Sequence, residues 1–264
     1  MKLIQKLCLV AGLILTVVLA AIGYHRYARK QPPVKPFSVK VFEVVPAADL
    51  LATRLKDYVP LRQYHIVVVI PSYKNAHWYA SNLDSVYGQD YENYSVVYVD
   101  DASPDGTGAW VAAYIKKHHQ EHRTKLIVNA TNQGACANWY NVVNDLPADA
   151  IVVSLDGDDW LAKPDVLSLI NKIYNKYDVL MTYGSYQNFP YKGRRALFCE
   201  ALPSHVVAGC QFREYKWVTG HLRTFKAGLF QRMQKEDLLH EGAFFPVLSD
   251  CATMFPMLEM AGAR

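Results

Sequence analysis

Four short runs rich in β-branched residues, each closing on a cluster of polar side chains, limit what this chain can fold into. They lie at 65–71 (HIVVVIP), 94–99 (YSVVYV), 125–129 (KLIVN) and 150–155 (AIVVSL). Apolar runs of this length read as strands buried on both faces, the situation of strands inside a parallel sheet. Between and after them the spacing predicts helices over 75–87, 107–119, 135–143 and 164–177. The last opens at Pro164, because proline suits a first helical turn. Strand and helix alternating at such intervals predict an α/β fold, a mostly parallel sheet with helices on both faces. Ligands of such sheets sit beyond the carboxyl ends of the strands. The polar clusters fall at those ends, at 72–75, 100–105, 131–138 and 156–159. Beyond Asn188 the pattern is irregular until helical segments near 227–235 and 249–262.

The first residues are of another kind. From Leu7 to Tyr24 the chain carries no charge, with Lys2 and Lys6 before it and Arg26, Arg29 and Lys30 after. About 18 apolar residues nearly match a bilayer core of roughly 30 Å, so an N-terminal transmembrane helix is expected within residues 1–30. The rival reading is a cleaved signal peptide, for which Leu19-Ala20-Ala21 offers small residues. Residues 31–64, opened by Pro32, Pro33 and Pro36, read as a linker, and 65–264 as the folded domain. Lys35 and Lys40 add to the positive charge after the span, which favours a cytosolic domain. Two sequons, Asn93-Tyr94-Ser95 and Asn129-Ala130-Thr131, would accept glycans in a secretory lumen. The second sits beside the candidate ligand site, where a glycan would obstruct it. A net charge of +4 without a long basic run in the body argues against nucleic acid as partner. Cys8, Cys136, Cys199, Cys210 and Cys251 share neither metal-ligand spacing nor a disulfide framework.

Asp156-Gly157-Asp158 carries the strongest chemistry. Two carboxylates two residues apart, leaving a strand, can converge on one hard divalent cation; alone, the same residues also describe an Asp-Gly turn. Asp100, ending the second strand, can accept a hydrogen bond from the N3–H of a uracil, or cap the helix after Pro104 together with Asp101. Ser72 and Tyr73 follow the first strand after Pro71, and Tyr73 can stack on a base or pack in the core. Asn132 and Gly134 open a helix whose first N–H groups could face an anion, with Asn138 one turn in.

Taken in order, Val69-Ile70-Pro71-Ser72-Tyr73, Val99-Asp100-Asp101-Ala102-Ser103 with Asp105, Asn132-Gln133-Gly134 with Ala137-Asn138, and Leu155-Asp156-Gly157-Asp158-Asp159-Trp160 resemble the nucleotide-binding half of family 2 glycosyltransferases. The resemblance covers residues 65–188 and implies a GT-A-like fold, with 189–264 as the acceptor half. It implies an inverting enzyme that moves a sugar from a nucleotide-sugar, a UDP-sugar in this reading, to a hydroxyl of a glycan or lipid-linked acceptor. It further implies a divalent metal, Mn2+ or Mg2+, held by Asp158 and Asp156. In that scheme Asp158 is the direct ligand and Asp156 also contacts the donor sugar or ribose. Pro71, Ser72, Tyr73, Asp100, Asn132, Gly134, Asn138 and Gly157 line the donor site. The family's base lies downstream near a helix start, which selects Asp250, preceded by Ser249 where the family usually has Glu; Glu241 is the reserve. Thr219-Gly220-His221-Leu222-Arg223 resembles a further family segment, and places His221 and Arg223 on the diphosphate or the acceptor. Relatives usually continue with further helices beyond the position of Arg264. Two rivals remain: a nucleotidyltransferase, which would release pyrophosphate, and a membrane-tethered binding protein without turnover.

Overall fold

The computed structural model describes residues 52–186 and 199–262. The apolar 7–24 stretch and its flanks lie outside them; among the described residues no helix is long and apolar enough to cross a membrane.

Six strands form one sheet: β1 (Ile66–Ser72), β2 (Tyr94–Asp100), β3 (Thr124–Val128), β4 (Ile151–Ser154), β5 (Met181–Gly184) and β6 (Gly220–Lys226), in the order β3-β2-β1-β4-β6-β5. β3, β2, β1 and β4 are mutually parallel, and β6 runs antiparallel to both β4 and β5. The helices are α1 (Tyr79–Tyr87), α2 (Thr107–Lys117), α3 (Ala135–Asn144), α4 (Val166–Tyr177), α5 (Ser204–Ala208), α6 (Ala227–Phe230) and α7 (Ser249–Ala261). A small hairpin, β7 (Leu239–His240) with β8 (Ala243–Phe244), precedes α7.

The period-2 geometry of strands explains why the runs are apolar throughout. Ile66, Val68, Ile70 and Tyr98 pack on one face against Leu83 and Val86 of α1, Val111 and Ile115 of α2, and Leu167, Ile170 and Tyr174 of α4. Val67, Val69, Val97 and Val99 pack on the other against Trp139 and Val143 of α3, Phe230 of α6 and Met254 and Leu258 of α7.

Several boundaries differ from the sequence reading. α1 begins at Tyr79, because Asn75 to Trp78 make a turn in which Asn75 O accepts from the N–H groups of Trp78 and Tyr79. α4 begins at Val166, two residues after Pro164, whose carbonyl instead accepts from Asp90 N–H. The 227–235 segment is broken into α6 and a 3-10 turn, Lys235–Leu238. β6, which sequence alone does not mark as a strand, fills the position between β4 and β5.

The register brings Ser72 of β1 level with Asp100 of β2. Backbone bonds continue past the strand tips, from Asp101 N–H to Ser72 O, Gly157 N–H to Pro71 O and Asn129 N–H to Asp100 O. These bonds join the loops at the carboxyl edge into one rim.

Candidate active site

The loop after β4 sits at the centre of that rim. Its turn is closed by Asp159 N–H donating to Asp156 O at 3.1 Å. From below, the fully buried Asn82 of α1 donates to the carbonyls of Asp156 (3.0 Å) and Asp159 (2.7 Å). Gly157 is required here by close approach: a Cβ would lie 2.5 Å from Asn75 Nδ2 and 2.6 Å from Ser72 Oγ. The glycine therefore lets the loop lie against Ser72 at the end of the protein's own first strand. Gly157→Ala is expected to destabilise the fold by about 1–3 kcal/mol through overpacking, read as a lower denaturation midpoint.

Carboxylate oxygens of Asp156 and Asp159 and an imidazole nitrogen of His221 all lie within 4.8 Å of one another. His221 Nδ1 is 3.1 Å from Asp159 Oδ2, and its Nε2 is 3.6 Å from Asp156 Oδ2. Burial is the main cause that pushes the Asp156 carboxyl up; His221 and Arg223 pull against it, while Asp159 and Asp158 add to the push. Its side chain keeps 45 % of its surface open, so water screens part of this push. Negative charge here is thus crowded and only partly compensated. Two carboxylate oxygens and one imidazole nitrogen make a donor set that can hold a divalent metal ion. The members of this cluster differ from the expected pair. Asp156 belongs to it, but Asp158 is exposed and lies outside it, and Asp159 and His221 complete it. Asp159 and His221 are far apart in sequence, and only the pairing of β6 with β4 brings them together.

On the β1 side, Ser72 is buried and its Oγ accepts from Tyr98 Oη (2.8 Å) and Asn75 Nδ2 (3.0 Å). Tyr73 is exposed, with the Lys74 ammonium 4.9 Å from its ring centre. That leaves a ring face available for stacking. Asp100 is only 2 % exposed. It faces α2, where a Cβ on Gly108 would lie 2.6 Å from its Oδ2. Its Oδ1 is buried with no hydrogen-bond partner. This carboxylate is thus buried at the tip of β2 beside α2, with one oxygen left unsatisfied by the described residues.

The neighbouring Asp101 organises the next loop. Its carboxylate accepts from Gln133 N–H (2.9 Å), Gly134 N–H (2.8 Å) and Asn129 Nδ2 (2.7 Å). Asn132 Nδ2 donates to Asp101 O at 3.1 Å, and Asn138 Oδ1 accepts from Asn129 Nδ2 at 2.8 Å. So Asn132, Gly134 and Asn138 brace the loop, and the Gly134 N–H is already taken by a carboxylate of the protein itself. Burial alone would raise the Asp101 carboxyl, but the bonds from Gln133, Asn129 and Gly134 outweigh it and hold it below its usual 3.8. The folded pKa is the lower one, so this stabilisation is complete above the unfolded value and is lost as pH falls through the folded one. Asp101→Asn is expected to cost about 1.5–3 kcal/mol at pH 7. The gap to the wild type should close in acid, as urea unfolding at a series of pH values would show.

Arg223 lies next to the cluster on β6 but is only 8 % exposed. Its Nε donates to Thr219 O (3.1 Å) and its Nη2 to Asp250 Oδ2 (3.1 Å). Asp250 sits in the first turn of α7, where its Oδ1 accepts from Cys251 N–H at 2.8 Å. Glu241 stands exposed at the turn of the β7–β8 hairpin, 3.9 Å from His240 Nε2. The structure thus gathers Asp156, Asp159 and His221 in one group and pairs Arg223 with Asp250 in another, the two joined through β6, which carries both His221 and Arg223; Glu241 is in neither.

Known proteins resemble this chain in part. GlyA of Streptococcus pneumoniae, a glycosyltransferase, is 28 % identical over 124 residues, 47 % of this chain and 17 % of its own length. The UDP-Glc:α-D-GlcNAc-diphosphoundecaprenol β-1,3-glucosyltransferase WfgD of Escherichia coli is 28 % identical over 125 residues, 47 % of this chain and 46 % of its own. The chain thus spans less than half the length of these two relatives. TarS of S. aureus superposes with a TM-score of 0.54 at 15 % identity, covering 75 % of this chain and 55 % of that one, which establishes a shared fold. The model of glycosyl transferase family 2 matches residues 67–240, most of the sheet and the whole metal-type cluster, and the chain belongs to that family.

Proposed function

We propose that the chain transfers a sugar from a UDP-sugar to an acceptor hydroxyl with inversion at the anomeric carbon, using a divalent cation of the manganese type. One observation carries this reading: the convergence of Asp156, Asp159 and His221 at the carboxyl edge of a parallel sheet. Family membership supports the transfer chemistry. The uridine preference is supported by WfgD, whose name specifies UDP-Glc, and by TarS, which has been seen with UDP-GlcNAc at a TM-score of 0.50.

A cation bound there would neutralise charge on the departing diphosphate. The chain's own groups do the rest. Asp156, Asp159 and His221 fix the position of the diphosphate end of the donor, and Tyr73 offers its exposed ring to the base. Asp250 accepts the proton of the acceptor hydroxyl. The acceptor oxygen forms its bond to the anomeric carbon as the bond from that carbon to the diphosphate oxygen breaks, and the electron pair leaves with UDP. One displacement on the face opposite the leaving group gives inversion.

The acceptor in this reading is a glycan or lipid-linked hydroxyl, presented to a domain tethered through the 7–24 apolar stretch and facing the cytosol. The Asn129 amide is already engaged by Asp101 and Asn138. A glycan there would undo the loop, which supports the cytosolic side.

The test is product analysis of full-length protein incubated with Mn2+ and a panel of UDP- and GDP-sugars, with and without glycan acceptors. Release of UDP from one donor is expected. Release of pyrophosphate from a nucleoside triphosphate and sugar phosphate, or UDP-sugar binding without any turnover, would contradict it.

A further inference from the structure

Resting on that reading, we infer that Arg223 is a positioning residue for the base, holding Asp250 in line with the metal-type cluster. The family resemblance places Arg223 on the diphosphate or the acceptor, and in the structure its side chain is buried. Its guanidinium is fixed on three sides: Nε on the Thr219 carbonyl, Nη2 on Asp250 Oδ2, and the Trp217 ring 5.6 Å from Cζ. Little of it is left to reach a phosphate from the cleft. Its charge also bears on Asp156.

The location gives this contact its consequence. Arg223 pairs across β6–β4 with Ser154, two residues before Asp156, and His221 stands two residues earlier on the same strand. Asp250 comes from α7, which reaches the site by a separate route through the chain. Its own-helix bond, from Cys251 N–H to Oδ1, sets one oxygen only. The Arg223 fork sets the other against β6, so the carboxylate that takes the proton is referenced to the strand that carries a member of the cluster. A planar guanidinium can hold two acceptors at a fixed separation; an ammonium can hold the charge but not the fork. Misplacement of a reacting group by about 1 Å can cost ~10²-fold in rate.

The test compares Arg223→Ala, Arg223→Lys, Asp250→Asn and Arg223→Lys with Asp250→Asn, all as full chain with Mn2+. UDP affinity is measured by titration calorimetry, UDP release from UDP-glucose and UDP-GlcNAc gives kcat and KM, and thermal melts report folding. Arg223→Ala should lower kcat by about 10²-fold while UDP affinity stays within about twofold. Arg223→Lys should recover part of that loss, and should add nothing further once Asp250 is Asn, because the two act as a unit. Should the alanine variant not fold, the lysine variant carries the same comparison. Unchanged kcat in Arg223→Lys and Arg223→Ala, UDP affinity falling in step with kcat, or losses that multiply with Asp250→Asn would each overturn the positioning role. A wild-type chain that releases UDP from none of the UDP-sugars of the panel would instead remove the functional reading, and this inference with it.

Discussion

Asp156→Asn is expected to abolish Mn2+-dependent UDP binding and to lower UDP release from a sugar donor by about 10²–10³-fold, the scale of losing one transition-state electrostatic contact. The replacement keeps the shape of the side chain and removes its charge, so its effect isolates electrostatics. Stability should move the other way. Burial pushes the Asp156 carboxyl above its ordinary range, with Asp159 and Asp158 adding to the push. A carboxyl whose folded pKa is raised favours the folded state below its unfolded pKa and loses that advantage as pH climbs through the folded one. At neutral pH, therefore, the ionised carboxylate is a burden on the metal-free fold. The asparagine variant should melt no lower than the wild type, and should show none of the upward shift that Mn2+ and UDP produce in it. Thermal melts at neutral pH with and without Mn2+ and UDP, paired with turnover, check both halves. A variant that melts lower and still responds to Mn2+ would make Asp156 a structural residue.

Arg213→Ala is expected to destabilise the protein by about 3–5 kcal/mol, the cost of leaving a buried partner charge unpaired. Arg213 forms a two-pronged ion pair with Glu259 of α7: Nη2 donates to Oε2 at 2.8 Å and Nε to Oε1. Glu259 has only 2 % of its side chain exposed, and among the described residues the Arg213 guanidinium pairs that charge. α7 is buried along most of its length and carries Asp250 at its start, so loosening it should also depress turnover. Removing both charges tests the cause. Arg213→Leu with Glu259→Met should regain most of the loss, since apolar residues of similar volume often replace a buried pair without penalty. Urea unfolding with equal m-values across the variants is the measurement. A double variant as unstable as Arg213→Ala would point to lost packing instead.

The parallel half of the fold was legible because its physics is local. A strand buried on both faces has to be apolar throughout, and Ile66–Ile70, Val96–Val99 and Ile151–Val153 announce themselves in this way. The polar clusters read at 72–75, 100–105, 131–138 and 156–159 do follow the carboxyl ends of β1 to β4. β6 was not legible, because its residues obey no period. Thr224 is buried there through bonds to Tyr174 Oη (2.9 Å) and Thr182 Oγ1 (2.7 Å), and Arg223 through Asp250 and Thr219. Polar residues satisfied by distant partners look like loop residues in a sequence.

The same limit governs the site. Asp156 stood out through its motif, but choosing between Asp158 and Asp159 depends on how the turn folds over Asn82 and on where His221 arrives from β6. Asn132, Gly134 and Asn138 were recognisable as important positions. That they bind around Asp101, Gly134 at its carboxylate, Asn132 at its backbone carbonyl and Asn138 through Asn129, is visible only once the β2 and β3 tips are side by side.

The account stands most directly on electron paramagnetic resonance of Mn2+ titrated into the full chain with UDP, followed by electron spin-echo modulation on 15N-histidine-labelled protein. It predicts one tightly held Mn2+ per chain, a nitrogen coupling that vanishes in His221→Ala, and loss of the tight site in Asp156→Asn. Mn2+ that stays free in the presence of UDP, or that binds without nitrogen coupling and is insensitive to Asp156, would contradict it.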